Sequence, residues 1–267
     1  MAATVRDIVQ RGSLQGVDAD KYLERIGAGR PEKADLGALR ELQLRHLKTV
    51  PFENLSIHLG EPIVLEQEAL YRKVVERKRG GFCYELNGLF GGLLTELGYQ
   101  VTYLAAKVNG GPLFDHLALR VDLDEPWLVD VGFGRFSHYP LRLDTAEPQD
   151  DPAGKFVLTR TADGDVEVTL NGQHEYVVET RPRPMSDFEP TCWWHQTSPK
   201  SHFTRSLTCS LLTDEGRITL SGHTLITTTD AAGRQEQVLD DEGVLTAYQR
   251  IFGFVLDRLP VVSAVSR

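Results

Sequence analysis

The sequence predicts an α+β fold in which a helical N-terminal part is followed by antiparallel β-sheet. From about Asp20 to Leu97, apolar residues recur at helical spacing. From Gln100 onward, apolar and polar residues alternate, as they do in strands with one buried face. The dipeptides Asp163-Gly164 and Asn171-Gly172 interrupt this alternation, and both are typical of tight hairpin turns.

Two amphipathic helices are predicted first. The earlier one must end before Pro51, because the proline ring removes a backbone donor and clashes with the preceding turn. The later one spans Glu66 to Lys78 and stops at Gly80 and Gly81. The apolar residues of the two helices are Leu36, Leu39, Leu42 and Leu47, then Leu70, Val74 and Val75.

A third helix, from Tyr84 to Leu97, is the most apolar in the chain and is expected to be buried. Gly98 fits as its C-terminal cap. The basic run Arg77-Lys78-Arg79 precedes this helix and could contact an anionic cofactor. It is interpreted instead as the solvated end of the second helix.

The alternating region is predicted to form an antiparallel meander or a small barrel. Its strands are expected at 101–105, 117–121, 156–161, 166–170 and 176–180. The proline-rich segment Arg181 to Arg205 is interpreted as an irregular linker. Further strands are predicted at 207–212, 217–220 and 223–228, and a closing helix at 243–252.

Composition excludes several classes of function. The formal net charge of −9 argues against a general nucleic-acid binder, which needs a basic surface. The three cysteines, Cys83, Cys192 and Cys209, form no CxxC pair, so no metal site is predicted and a reducing compartment is favoured. No apolar run approaches the roughly 20 residues of a membrane span. Because Met1 to Leu14 also lack the apolar core of a secretory signal, a cytoplasmic protein is expected.

Cys83 is the strongest candidate for a nucleophile. It follows Gly80 and Gly81 and begins the buried helix, where unpaired N–H groups and the helix dipole favour a thiolate. The same N–H groups can stabilise an oxyanion. The local pattern is equally compatible with a small buried apolar residue. Cys192 and Cys209 lack such a setting and are interpreted as core residues.

A base for this cysteine is predicted on a hairpin. Asp130 stands between two valines in a strand, where a carboxylate needs a partner. If the turn is centred on Leu123, His116 faces Asp130 directly, and a shift of two residues in the pairing keeps them on one face. A histidine–carboxylate pair of this kind can orient a catalytic imidazole or serve a structural role.

Four motifs, in order along the chain, resemble those of the arylamine N-acetyltransferases. They are Val50-Pro51-Phe52-Glu53-Asn54-Leu55, the segment Arg79 to Asn87, His116 together with Leu128 to Gly134, and Ser201-His202-Phe203. The resemblance implies a helical bundle, a central β-barrel and a C-terminal α/β lid around a cysteine-protease-like core. The corresponding boundaries are 1–98, 99–183, 184–206 for the linker, and 207–267.

The resemblance also implies a reaction, which is acetyl transfer from acetyl-CoA to the nitrogen of an arylamine, arylhydrazine or arylhydroxylamine by a ping-pong mechanism. The family triad falls on Cys83, His116 and Asp130. By the same resemblance Phe52, Phe133 and Phe203 line the acceptor pocket, and Gly132 and Gly134 lie near CoA. Asp115 departs from the small polar residue of many family members, so the loop Asn109 to Asp115 carries no predicted CoA contact.

Three alternatives share these residues. Relatives of the family act as amide synthases that release acyl chains from a carrier protein, and the acceptor pocket decides between the two activities. A cysteine hydrolase with a Cys-His-Asp order would use water or lysine as acceptor. A non-catalytic binding protein would carry a triad that never acylates.

Overall fold

The computed structural model describes residues 18–262, so the predictions for Met1 to Leu14 lie outside the described residues. It confirms the α+β class, with helices before residue 99 and two antiparallel sheets. The α-helices are α1 Ala19–Arg25, α2 Leu36–Thr49, α3 Leu55–Leu59, α4 Gln67–Tyr71, α5 Cys83–Glu96, α6 Glu189–Thr197, α7 His202–Arg205 and α8 Asp241–Arg250.

The predicted helices of the N-terminal part are confirmed. Helix α2 ends at Thr49, just before Pro51, and α4 continues into a π-helical turn at Arg72–Glu76. Helix α5 is buried over most of its length, as its apolar composition predicts. Gly98 follows it with a φ of +93°, and its N–H donates to the Thr95 carbonyl at 3.0 Å. Such a left-handed residue ends many helices.

A barrel-like sheet of eight strands forms the centre of the molecule, in the order β5-β4-β3-β2-β9-β8-β7-β6. Seven of these strands and the connecting loops contribute side chains to one buried apolar cluster. Asn171 and Gly172 both have positive φ in the turn between β8 and β9, as predicted. The strands are β2 Gln100–Val108, β3 His116–Asp122, β4 Pro126–Val129, β5 Leu141–Arg142, β6 Gln149–Asp151, β7 Gly154–Arg160, β8 Val166–Leu170 and β9 Gln173–Val178.

A second sheet, of five strands, joins a short strand of the N-terminal part to four strands of the C-terminal part. Its order is β1-β10-β11-β12-β13, and Phe52 of β1 pairs with Ser210 of β10. Helix α8 packs with this sheet through an apolar cluster that includes Tyr248 and Leu55. The strands are β1 Phe52–Glu53, β10 Thr208–Leu212, β11 Gly216–Ser221, β12 Thr224–Thr229 and β13 Gly233–Val238.

The prediction of an irregular linker at 181–205 is wrong. This segment contains a 3₁₀ turn at Met185–Phe188, followed by α6 and α7. Pro190 lies in the first turn of α6, where a proline costs no helical hydrogen bond. Proline content therefore marked a helix start here instead of an irregular chain.

The interpretation of the basic run as a solvated helix end is also wrong for Arg79. Arg77 and Lys78 are exposed, but Arg79 is buried and forms an ion pair with Glu53 at 2.9 Å. Its charge is neutralised inside the protein, so Arg79 is not available to a cofactor.

Candidate active site

Cys83 is the first residue of the buried helix α5. Gly80 and Gly81 precede it, and neither has a positive φ. They are needed for close packing instead, because a Cβ on Gly80 would overlap the Pro51 carbonyl, and one on Gly81 would lie 2.7 Å from the Glu85 side chain. The Glu85 carboxylate accepts from the N–H of the residue before Cys83 at 3.2 Å, which caps the helix.

The hairpin of β3 and β4 carries His116 and Asp130. The observed pairing of Leu119 with Val129 places the turn centre one residue after Leu123. The predicted register is therefore wrong by two residues, but the even shift keeps both side chains on one face. His116 Nε2 lies 2.7 Å from Asp130 Oδ2, so the predicted histidine–carboxylate pair is confirmed as a contact.

The Asp130 carboxylate is buried and accepts hydrogen bonds from four groups. Oδ2 accepts from His116 and from the Tyr176 hydroxyl at 3.2 Å. Oδ1 accepts from Asn87 Nδ2 at 2.8 Å and from the Gly132 N–H at 2.9 Å. Hydrogen bonds of this number satisfy the oxygens of a carboxylate that is buried in the protein. Burial and the Asp130 charge raise the pKa of Tyr176, which keeps the phenol protonated as a donor.

Asn87 ties the nucleophile helix to the hairpin, and sequence reasoning gave it no role. Its Nδ2 also donates to the Leu117 carbonyl at 2.6 Å, while its Oδ1 accepts from the Val131 N–H at 2.9 Å. Both N–H donors and the carbonyl oxygen of this buried amide are therefore hydrogen-bonded. The available signal was a buried-helix amide one helical turn after Cys83. Tyr176 gave no signal, because it is distant in sequence and fits an ordinary strand.

The sulfur of Cys83 lies against the hairpin. Burial raises the pKa of its thiol well above the ordinary value, and the Leu117 N–H, which is hydrogen-bonded to the sulfur, lowers it in part. This direction differs from the acidified thiol that the helix terminus predicted. A thiolate here therefore requires a nearby group that takes the proton. Gly132 packs so closely that a Cβ on it would lie 2.7 Å from the Cys83 Cα.

Cys83 and His116 line a single cavity of about 600 Å³, which is the size of ordinary small-molecule sites. Phe52, Phe133 and Phe203 line the same cavity. The structure thus brings together the predicted cysteine, histidine and three phenylalanines. Gly132 also lines it, whereas Gly134 lines an adjoining cavity.

The phenylalanines are packed against one another and against the histidine. The Phe203 ring lies 6.3 Å from that of Phe52, and the Phe133 ring meets His116 edge-on at 5.0 Å. Gly134 has a φ of +87° and packs on the Phe52 ring. The turn after Asp130 therefore places one aromatic wall of the cavity.

A second histidine–carboxylate pair lines the cavity and was not predicted. His195 Nε2 lies 3.0 Å from Asp115 Oδ1, and its Nδ1 lies 3.0 Å from the Ser201 hydroxyl. His195 belongs to α6, in the segment that was interpreted as a linker. Since that segment was not expected to be helical, nothing in the sequence directed His195 toward Asp115.

Residues 18–262 contain no group of three or more His, Cys, Asp or Glu side chains that could hold a metal ion. Within the same residues, no helix is both long and apolar enough to span a membrane.

Comparison with known proteins places the chain in a family. A family model described as N-acetyltransferase matches residues 35–261. The arylamine N-acetyltransferase of Mycolicibacterium smegmatis is 38% identical over 91% of this chain and 94% of its own length. Human arylamine N-acetyltransferase 1 is 33% identical over 78% of this chain and 82% of its own.

Solved structures agree. The M. smegmatis arylamine N-acetyltransferase superposes with a TM-score of 0.82 at 38% identity, covering 89% of this chain and 92% of that one. The Mycobacterium marinum enzyme, solved in complex with CoA, superposes with a TM-score of 0.82 at 34% identity, covering 89% and 93%. From the family match, the sequence identity and the shared fold, this chain belongs to the arylamine N-acetyltransferases, a family of acetyl-transferring enzymes.

Proposed function

We propose that this chain transfers an acetyl group from acetyl-CoA to the nitrogen of an arylamine, arylhydrazine or arylhydroxylamine through a thioester on Cys83. The observation that carries the proposal is the meeting of Cys83, the His116–Asp130 pair and three phenylalanines around one cavity. The CoA complex of the M. marinum relative supports CoA as the acyl carrier.

In the first half-reaction, His116 accepts the thiol proton of Cys83. Because Nε2–H donates to Asp130, Nδ1 is the nitrogen with a free lone pair. The sulfur then attacks the acetyl carbonyl, and the carbon–sulfur bond to CoA breaks. CoA leaves as a thiol when His116 returns the proton. Asp130 stabilises the imidazolium between these steps.

In the second half-reaction, the aryl nitrogen attacks the carbonyl of the Cys83 thioester. The bond between carbon and sulfur breaks, the nitrogen loses a proton to His116, and Cys83 recovers one. Two half-reactions joined by one acyl-enzyme give ping-pong kinetics. The Cys83 N–H lies in the first turn of α5, where the helix offers it no acceptor, and it is the proposed oxyanion donor.

The acceptor pocket is proposed to comprise Phe52, Phe133 and Phe203. Aromatic walls favour a flat apolar ring through burial and edge contacts. Arylamines remain unprotonated at neutral pH, so their nitrogen is nucleophilic when it enters such a pocket. Gly132 and Gly134 are proposed to leave room for CoA beside Cys83. The three cysteines are free in the structure, which supports a reducing compartment such as the cytoplasm.

The test is the intact mass of the protein after brief exposure to acetyl-CoA. We expect a gain of one acetyl group that is absent in Cys83→Ala and is discharged by an added arylamine. Cys192→Ala is the matched control, because Cys192 is also a free, buried cysteine and lies near enough for its charge to affect the Cys83 thiol. That variant should still be acetylated.

The other outcomes separate the alternatives. Acetylation without discharge by any arylamine would keep Cys83 as the nucleophile and indicate another acceptor. Labelling from a carrier-protein thioester but not from acetyl-CoA would indicate an amide synthase. Turnover of peptides without a stable adduct would indicate a hydrolase, and a protein that never acylates would be a binding protein.

A further inference from the structure

His195 lines the cavity that contains Cys83, and the proposed mechanism gives it no role. It lies on α6, and its side chain is buried. A polar group stands near each ring nitrogen, with Asp115 Oδ1 at 3.0 Å from Nε2 and Ser201 Oγ at 3.0 Å from Nδ1. The approach to Asp115 lacks the alignment of a hydrogen bond, so the ring is anchored chiefly through Ser201.

The Ser201 hydroxyl connects His195 to the backbone of Phe203. Its Oγ accepts from the Phe203 N–H at 3.2 Å and is the N-cap of α7. A hydroxyl has one proton besides its lone pairs, and that proton is free to donate to His195 Nδ1. The neutral imidazole then carries its own proton on Nε2, on the side of Asp115. One buried hydroxyl therefore holds the imidazole and the start of α7 together.

Phe203 is also held by its neighbours at the ring and at the carbonyl. The His195 and Phe203 rings meet edge to face, with centroids 5.1 Å apart and an interplanar angle of 86°. The ring of Phe82 meets Phe203 at 5.3 Å, and that of Phe52 lies at 6.3 Å. Asn54 Nδ2 donates to the Phe203 carbonyl at 2.9 Å. Among these neighbours, His195 is the one that contacts the Phe203 ring and also, through the N-cap hydroxyl, its N–H.

Helix α7 cannot fix the position of Phe203 by itself. It has four residues, and a helix of this length is unstable without tertiary contacts. Phe203 is half-buried and lines the cavity beside Cys83. Loss of the His195 ring would remove an edge contact and leave the buried Ser201 hydroxyl without this partner. The direction of the Phe203 side chain therefore depends on His195.

We propose that His195 is a positioning residue that holds Phe203 where the ring of an aromatic acceptor packs against it. The identity of that acceptor rests on the proposed function. His195 thereby raises the affinity for acceptors that carry an aromatic ring. Nucleophiles without a ring gain nothing from it, because they make no ring contact with Phe203.

Binding of 4-chloroaniline, measured by isothermal titration calorimetry without acetyl-CoA, tests this role without catalysis. His195→Leu should weaken the affinity by about 10-fold, as for the loss of one hydrogen bond and one edge contact between rings. His195→Asn, whose amide lies near the position of Nδ1 and can reach Ser201, should recover part of it. His195→Gln, whose amide lies nearer to Asp115, should not. His174→Leu, which removes an exposed histidine paired with Glu167, should bind as the parent does.

A double-mutant cycle with Phe203→Leu shows whether His195 acts through that ring. His195→Leu should have little further effect in the Phe203→Leu background, because the ring that it positions is gone. Equal weakening in both backgrounds, equal affinities of the parent and His195→Leu, or no binding by the parent would each overturn the inference. If His195→Leu does not fold, Ser201→Ala removes the same hydrogen bond from the other partner and should weaken binding similarly.

Discharge of acetylated Cys83 gives a second readout, with phenylhydrazine and methylhydrazine as nucleophiles that differ in the aromatic ring. His195→Leu should lower the second-order rate constant about 10-fold more for phenylhydrazine than for methylhydrazine. Burial and, as a smaller effect, the charge of Asp115 raise the pKa of the Cys83 thiol, and comparing two nucleophiles in one variant cancels any such change at the sulfur. An equal loss with both nucleophiles would contradict the inference. A parent that binds 4-chloroaniline but is never acetylated would contradict the proposed function alone.

Discussion

The Asp130 carboxylate is buried among four hydrogen-bond donors that the fold positions around it. Of its four donors, Tyr176 is the one whose hydroxyl can be removed without disturbing the backbone or the histidine. The phenol donates to Oδ2, the same oxygen that contacts His116. The contribution of the Tyr176 hydroxyl to the His116–Asp130 pair can therefore be measured separately from those of the other donors.

We expect Tyr176→Phe to slow acetylation of Cys83 by roughly 10-fold or more, because a hydrogen bond to a charged group is lost at Asp130. Stopped-flow or rapid-quench measurement of the acyl-enzyme gives the rate. Tyr248→Phe is the control, since Tyr248 is buried and its hydroxyl has no partner within residues 18–262. A similar slowing in both variants would contradict a specific role for Tyr176.

His46 is a buried imidazole outside the site. Its ring lies 5.0 Å from that of Phe90, and neither ring nitrogen has a hydrogen-bond partner in the described part of the chain. Burial, with a smaller effect of the Arg25 charge, lowers the pKa of His46 to about 3. The unfolded chain would bind a proton at this residue below its ordinary value of 6.5, and the folded chain would not.

The contribution of neutral His46 to the free energy of unfolding should therefore be fully present above pH 6.5. It should decline as the pH falls toward 3, by up to about 1.4 kcal/mol per pH unit. Urea unfolding at several pH values measures the decline. His46→Phe should remove this part of the pH dependence, whereas His223→Gln, at an exposed histidine, should leave it in place. An unchanged slope in His46→Phe would show that His46 is not the cause.

At the scale of elements, the turn after β4 makes one of the close contacts between the hairpin and the nucleophile helix. It brings Gly132 against the backbone of Cys83 and Phe133 against His116. No side chain fits between the turn and α5. The glycine therefore helps to set the relative position of nucleophile and base.

Gly132→Ala should separate the turn from α5, because its Cβ would lie 2.7 Å from the Cys83 Cα and 2.8 Å from Asn87 Nδ2. We expect the acetylation rate to fall by roughly 100-fold and stability to fall by about 1–3 kcal/mol, as in overpacked cores. Gly29→Ala is the control, since a Cβ there meets no atom within 4 Å. Full activity in Gly132→Ala would refute this account.

Local patterns predicted the elements that have a strong period of their own. Helix α5 and strands β7 and β8 follow directly from apolar spacing. Strand β13 was not predicted, because all of its residues are exposed and its sequence shows no alternation. Proline content does not predict helix α6, because a proline is compatible with a helix only in its first turn and the sequence does not show that Pro190 lies there.

At the scale of the whole molecule, a buried network of charges joins the N-terminal helices to the five-stranded sheet. Arg79 contacts Glu53 of β1 and also Glu61 at 3.3 Å. Lys73 binds Glu85 of α5 at 2.6 Å. Burial raises the pKa of Glu53, but the charges of Lys73 and Arg79 outweigh burial and hold it below the ordinary value.

Arg79→Met should destabilise the protein by about 3–5 kcal/mol, because it leaves the Glu53 carboxylate buried without its main partner. Urea unfolding at neutral pH measures the loss. Arg72→Met is the control, since Arg72 pairs with Glu68 on the surface and such pairs contribute about 0–1 kcal/mol. Equal losses in the two variants would argue against a structural role for the network.

The site was predictable to the extent that its residues are close in sequence. The glycines before Cys83 and the valines around Asp130 are local signals, and hairpin geometry connects Asp130 to His116. Asn87 and Tyr176 complete the site by hydrogen bonds to Asp130, which is distant from both in sequence. No local sequence pattern predicts these hydrogen bonds. The direction of the Cys83 pKa also depends on burial by the whole fold, which outweighs the helix terminus.

The even register of the β3–β4 hairpin also limits how this protein can change in evolution. His116 and Asp130 lie on one face of the sheet because of the number of strand residues between each of them and the turn. A change of one residue in either number would place them on opposite faces. A single insertion within His116–Asp122 would turn one partner to the opposite side of the sheet. Length variation among relatives should therefore fall in the turn at 123–125, and insertions in the strands should come in pairs or as bulges.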